Sequence, residues 1–158
     1  QELAPNNITP YLQLALMYDT AGRSDEAKPL YEQILRLQPN NVHALNNLAF
    51  MMAESGTDLD QALTMAQRAK QQRPTDNNVS DTLGWIYIKK NLADSAIGIF
   101  KDLVQKEPDR AMYRYHLAMA LFQKGEIAEA KKECEQALRS KPAKADEEKI
   151  RELLSKLG

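Results

Sequence analysis

The side chains best suited to acid–base, nucleophilic or metal chemistry are His43, His116 and Cys134. An imidazole beside a thiol or hydroxyl can activate a nucleophile, and closely spaced His, Cys and carboxylate groups can hold a metal. Neither histidine stands at such a spacing from a Ser, Cys or carboxylate. A lone cysteine closes no internal disulfide, and no glycine-rich loop is present to cradle a phosphate. The implied chemistry is none: no enzyme, no metal, no cofactor. His116 reads as a groove-lining or partly buried ring, and Cys134 as a core thiol. The sequons Asn7-Ile8-Thr9 and Asn78-Val79-Ser80 carry no weight, because the triplet is common by chance.

Without a catalytic group to position, the elements themselves become informative. The chain has 158 residues, 43% hydrophobic and 27% charged, as in ordinary globular proteins. Its net charge of -1 and interleaved signs argue against nucleic acid and anionic membrane, which need a concentrated basic face. Lys131, Lys132, Arg139, Lys141 and Lys144 are interspersed with Glu129, Glu133 and Glu135, the pattern of a solvated helix face. No apolar run approaches the roughly 20 residues of a membrane span, and Gln1-Glu2-Leu3-Ala4-Pro5 is not a signal peptide.

Pro39, Pro74, Pro108 and Pro142 recur at about 34 residues. In phase with them run the Leu-small pairs Leu14-Ala15, Leu48-Ala49, Leu83-Gly84 and Leu117-Ala118, and the turn residues Gly22, Gly56, Asn91 and Gly125. An alanine follows each turn (Ala27, Ala62, Ala96, Ala130), and then a second-helix core position (Ile34, Ala69, Leu103, Ala137). Tyr11, Leu14, Ala15 and Tyr18, and again Leu45, Leu48, Ala49 and Met52, have the i, i+3, i+4, i+7 spacing of a helix core face.

Each landmark has a physical task. Small residues let two helices of a hairpin approach closely. Glycine takes the left-handed conformation that ends a helix, and asparagine tolerates it better than most. Proline removes a backbone donor and pushes the residue before it out of helical geometry, fixing hairpin length. This pattern resembles the tetratricopeptide repeat over nearly the whole chain. The resemblance implies an all-α, right-handed superhelical solenoid of helix-turn-helix hairpins with a C-terminal capping helix. The boundaries are 1–7 for the tail of a preceding repeat, 8–41, 42–76, 77–110 and 111–144 for four repeats, and 145–158 for the cap.

Departures sharpen the expectation. The second repeat carries one extra residue in Gly56-Thr57-Asp58-Leu59-Asp60-Gln61-Ala62, where a longer turn costs little. Ser80 takes the large apolar position of Tyr11 and Leu45, with Trp85 the candidate to fill that volume. Pro29 stands near the start of a second helix, where at most one backbone bond is lost. Leu3-Ala4-Pro5-Asn6-Asn7 copies Leu37-Gln38-Pro39-Asn40-Asn41, so the sequence reads as a fragment opening on an earlier repeat. Ile150, Leu153, Leu154 and Leu157 form the apolar stripe of the cap, with Glu148, Arg151 and Glu152 toward water.

The resemblance implies that first helices line a concave face that binds peptides or partner helices. One step along a helix turns about 100°, so the stripe beside the core stripe faces that groove. It contains Leu12, Leu16, Asp19, Asn46, Phe50, Ala53, Asp81, Trp85, Ile88, Tyr115, Met119 and Phe122. Aromatic residues and methionine are the expected constituents of a binding hot spot. The family's carboxylate clamp of Lys, Asn and Arg is missing, since its positions hold Leu12, Leu16, Asn78 and Thr82, and Asn47 alone matches. The expected ligand is an apolar or amphipathic protein segment.

Three functions compete: a scaffold or adaptor holding such a segment, a self-association module giving a homo-oligomer, and the non-catalytic repeat region of a larger enzyme. The wording of Asn46-Asn47-Leu48-Ala49 and Asp81-Thr82-Leu83-Gly84-Trp85-Ile86-Tyr87 is similar to bacterial repeat proteins of envelope and exopolysaccharide systems. Partner identity and compartment, cytoplasm or bacterial envelope, lie beyond the sequence.

Overall fold

A computed structural model describes residues 6–158. Among them are nine α-helices and no strand: α1 (Thr9–Thr20), α2 (Ser24–Leu37), α3 (Val42–Ser55), α4 (Leu59–Gln72), α5 (Asn77–Lys89), α6 (Ala93–Lys106), α7 (Ala111–Lys124), α8 (Ile127–Arg139) and α9 (Lys144–Lys156). They fall into two compact units, Gln1–Thr82 and Leu83–Gly158, divided within α5.

The turns between hairpin helices follow from their residues. Gly22, Gly56 and Gly125 have φ of 72°, 69° and 90°, and Asn91 follows them at 59°. Past α1, α5 and α7, the N–H groups of Arg23, Leu92 and Glu126 reach back five residues to the carbonyls of Tyr18, Tyr87 and Leu121 at 2.8, 2.8 and 2.9 Å. This is the bond pattern that satisfies otherwise orphaned helix carbonyls. The longer turn after α3 differs: Gly56 N–H bonds Ala53 O at 3.2 Å, and Asp58 takes a left-handed φ of 51° to start α4.

Second helices stop where the prolines require. Gln38, Arg73 and Glu107 each precede a proline and share φ near -135° (-135°, -135°, -132°) with ψ of 88°, 76° and 75°, outside helical geometry. A cation holds each of these proline carbonyls. Arg68 donates to Pro39 O at 2.8 Å, Lys70 to Pro74 O at 2.6 Å and Arg114 to Pro108 O at 2.9 Å. The fourth junction departs from the set, with Lys141 left-handed (φ 53°) before Pro142.

In the first unit α1 packs on α2, α2 on α3, and α3 on α4. Ala15, Ala27, Ala49 and Ala62 are wholly buried around Tyr31, Ile34 and Leu45. In the second unit α6 packs on α7, α7 on α8, and α9 closes on both α7 and α8 through Ile150, Leu153 and Leu157. Gly84 is required here: a Cβ at that position would lie 2.7 Å from Phe100 Cζ and 3.1 Å from Ile99 Cγ2.

Several expectations need correcting. Leu14, expected in the core, is 37% exposed, whereas its equivalents Leu48, Leu83 and Leu117 are at 2%, 7% and 3%. The reason is local: α2 lies against α3 and α6 against α7, while no described helix precedes α1. Ser80 itself is buried and accepts from the Lys70 ammonium at 2.6 Å. Pro29 is the sixth of the 14 residues of α2, where its missing N–H costs one helix bond, as expected. Of the segment expected to copy an earlier repeat, Leu3, Ala4 and Pro5 lie outside the described residues. Asn7 differs from its counterpart Asn41: its Oδ1 accepts from Thr9 N, two residues on, at 3.1 Å, whereas Asn41 is the N-cap of α3 and accepts from Ala44 N, three residues on, at 3.0 Å.

Candidate binding site

The adjacent stripe has a different character in each unit. In the first, Leu12 is half-buried and Leu16 and Phe50 are 41% and 43% exposed. Between them runs a polar chain. Asn46 Nδ2 donates to Asn47 Oδ1 (3.3 Å), Asn47 Nδ2 to the Tyr31 hydroxyl (2.9 Å), and that hydroxyl to Asp19 Oδ2 (3.4 Å). Burial, set against the Asn47 bond and reinforced by Asp19, pushes the Tyr31 phenol up to about 12. Asn46 Oδ1 is buried without a partner. Asn47, the one match to the carboxylate clamp, is thus spent on Tyr31. Asp81 is half-buried in α5.

In the second unit the stripe opens into a cleft of about 440 Å³. Ile88 of α5 and Tyr115, Met119 and Phe122 of α7 line it, with Leu153 of α9. Ile88, expected as an open groove residue, is only 6% exposed and serves the core as well as the cleft, whereas Phe122 is 37% exposed. Gln123 fixes one edge, its Nε2 donating to Ile88 O and to Asn91 Oδ1, each at 2.9 Å. Trp85 does not line the cleft. It stands against His116, ring centroids 4.9 Å apart, with Lys89 Nζ 4.8 Å from its own ring centre. His116 also meets Phe100 at 5.2 Å and Tyr115 at 5.7 Å, so it joins the cleft wall to the core.

Two features escaped the sequence reading. The cap helix contributes Lys149, Glu152 and Lys156 to the cleft beside Leu153. Their spacing of three and four along one helix face was the available signal. The first unit has a second cleft of about 550 Å³, where Leu35, Leu48, Met52 and Met65 are rimmed by Lys28, Glu32, Arg36 and Asp58.

Little here can do covalent chemistry. Burial, with Glu133 and Glu135 adding to it, pushes the wholly buried Cys134 thiol up to about 11, far from a nucleophile's range. His43 is exposed. Among the described residues no group of three His, Cys, Asp or Glu side chains could hold a metal. No described helix is long and apolar enough to cross a membrane.

Comparison with known proteins bears on the fold. Residues 20–86 and 87–157 each match a family described as "Tetratricopeptide repeat". The "Cellulose synthase 1 operon protein C" of Komagataeibacter xylinus is 31% identical over 122 residues, 75% of this chain. The matched stretch spans only 9% of that relative's length. Among solved structures, a thermophilic repeat protein of Thermus thermophilus aligns with a TM-score of 0.83 at 21% identity, covering 96% of this chain and 84% of the other. A tetratricopeptide repeat protein from Parabacteroides merdae gives 0.78 at 18%, covering 96% and 57%. MamA from Desulfovibrio magneticus gives 0.73 at 18%, covering 98% and 94%.

Proposed function

This chain belongs to the tetratricopeptide-repeat family, and from that premise we propose that it is a protein-interaction scaffold whose second unit receives an apolar or amphipathic segment of another protein. Repeats of this family are generally non-catalytic, and their fold suits the holding of partners. The observation that carries the reading is the cleft itself. Three large side chains of α7, Tyr115, Met119 and Phe122, line an open concavity, Tyr115 and Met119 also packing against the core and Phe122 standing 37% exposed. Such a combination of aromatic rings and an adaptable thioether is what a buried peptide anchor needs. Leu16 and Phe50 offer further apolar contact in the first unit. The test is affinity capture from a bacterial extract by the protein and by its Met119→Ala, Phe122→Ala variant, matched in circular dichroism. A partner held by the first and lost by the second supports the reading, and equal retention by both overturns it.

A second reading, self-association, has its own observation. Leu14 and Met17 of α1 are 37% and 58% exposed, although their equivalents in later repeats are largely covered. Another copy's helix would bury them. Sedimentation over a range of concentrations, repeated on Leu14→Glu, Met17→Glu, tests it, and a concentration-independent monomer contradicts it. The name of the Komagataeibacter relative suggests the setting of either activity: a repeat segment working within bacterial cellulose or exopolysaccharide machinery.

A further inference from the structure

We infer that α9 is not only a cap but the selective wall of the cleft, and that through Lys149 it prefers an apolar anchor flanked by a carboxylate-bearing residue. This rests on the groove reading above and deepens it. The floor made by Tyr115, Met119 and Phe122 fits many apolar side chains and discriminates poorly among them. Charge enters the site from α9, as Lys149, Glu152 and Lys156. Glu152 Oε1 lies 3.6 Å from Lys156 Nζ, so those two offset each other. Lys149 has no carboxylate within ion-pair distance among the described residues, which leaves one ammonium uncompensated at the mouth.

Of the three charged side chains that α9 brings to the mouth two are ammonium groups and one is a carboxylate, a net positive charge on a chain whose formal net charge is -1, although Glu152 is near enough to the floor to join burial in pushing the Tyr115 phenol up. An incoming Asp or Glu beside the anchor is attracted, and a Lys or Arg there is repelled. Rim charges of this kind set specificity and encounter rate more than total affinity. The ligand is therefore an acidic-flanked apolar segment. It is recognised by a side chain of the cap rather than by the first-helix positions that grip a chain terminus in the family's carboxylate clamp.

The experiment selects ligands without presupposing them. A phage-displayed random peptide library is panned on the protein at low salt. The affinity of the enriched peptides is then measured on the wild type, on Phe122→Ala and on Lys149→Glu, an exposed site whose change leaves the packing of α9 alone. Supporting results are enrichment of Asp or Glu next to an aromatic or aliphatic residue, a loss of about fivefold on Lys149→Glu that added salt erases, and recovery when the peptide carboxylate is exchanged for Lys. Apolar peptides that need Phe122 but show no acidic bias and ignore Lys149→Glu overturn the role of α9 and leave the groove standing. Peptides indifferent to Phe122→Ala overturn both.

Discussion

Gly84 and Phe100 occupy one site between them: the ring of Phe100 fills the space that any side chain at 84 would need, its Cζ 2.7 Å from where a Cβ would be. The ring is wholly buried and also touches His116, so it cannot yield without disturbing the wall of the cleft. Gly84→Ala, which would favour the helix in isolation, is expected to lower stability by about 1–3 kcal/mol through overpacking. Phe100→Leu should recover part of that loss in the double variant. Urea denaturation of the two single variants and the double one checks it.

Leu14 and Leu48 hold the same repeat position with unequal burial, which predicts unequal costs. Leu48→Ala should destabilise by about 2–4 kcal/mol, and Leu14→Ala by less than about 1 kcal/mol. Equal effects in denaturant melts would mean that something covers α1 in solution.

Tyr31 makes the fold sensitive to alkali. Its phenol titrates near 12 when folded, against about 10 when unfolded. Below pH 10 the phenol is protonated in both states and its contribution is full. As pH rises from 10 through 12 the unfolded chain loses that proton first, and about 2 kcal/mol of stability drains away. Comparing the wild type with Tyr31→Phe at pH 9 and pH 11.5 isolates the effect, because the lysines titrate in both proteins. The variant should show the shallower decline.

Cys134 should resist thiol reagents. With its thiol near 11 instead of about 9, the thiolate fraction at pH 8 falls about 100-fold, before burial is counted. Labelling by a chromogenic disulfide should therefore follow the urea unfolding curve, and prompt labelling of the native protein would contradict a core position.

The repeat architecture was legible because its signals are local. A glycine that must be left-handed, a proline that ends a helix and an alanine where backbones meet each leave a mark in the sequence. Asn91 at φ 59° shows how closely residue type and backbone agree. What escaped depended on neighbours distant in the chain. Lys70 reaches Ser80, Arg114 pairs with Glu133 at 2.9 Å, and α9 turns Lys149 and Glu152 toward a cleft on α7. Long side chains of this kind can place their charged ends far from their own backbone position, so a polar letter in the sequence does not reveal where it will sit. The stripe rule found Tyr115, Met119 and Phe122, yet it also included Ile88, which the core largely claims.

The protein's own methionines, six in number, can report where a ligand sits. Met119 lines the cleft of the second unit, Met52 and Met65 the charged-rimmed cleft of the first, and Met17 the exposed side of α1. Methyl-labelled methionine spectra recorded while a library-selected, acidic-flanked apolar peptide is added distinguish these sites. The Met119 methyl should show a saturable shift, with Met17, Met52 and Met65 unmoved, abolished by Phe122→Ala. Saturation at Met52, Met65 or Met17 with Met119 silent would contradict it and move the binding surface to the other unit.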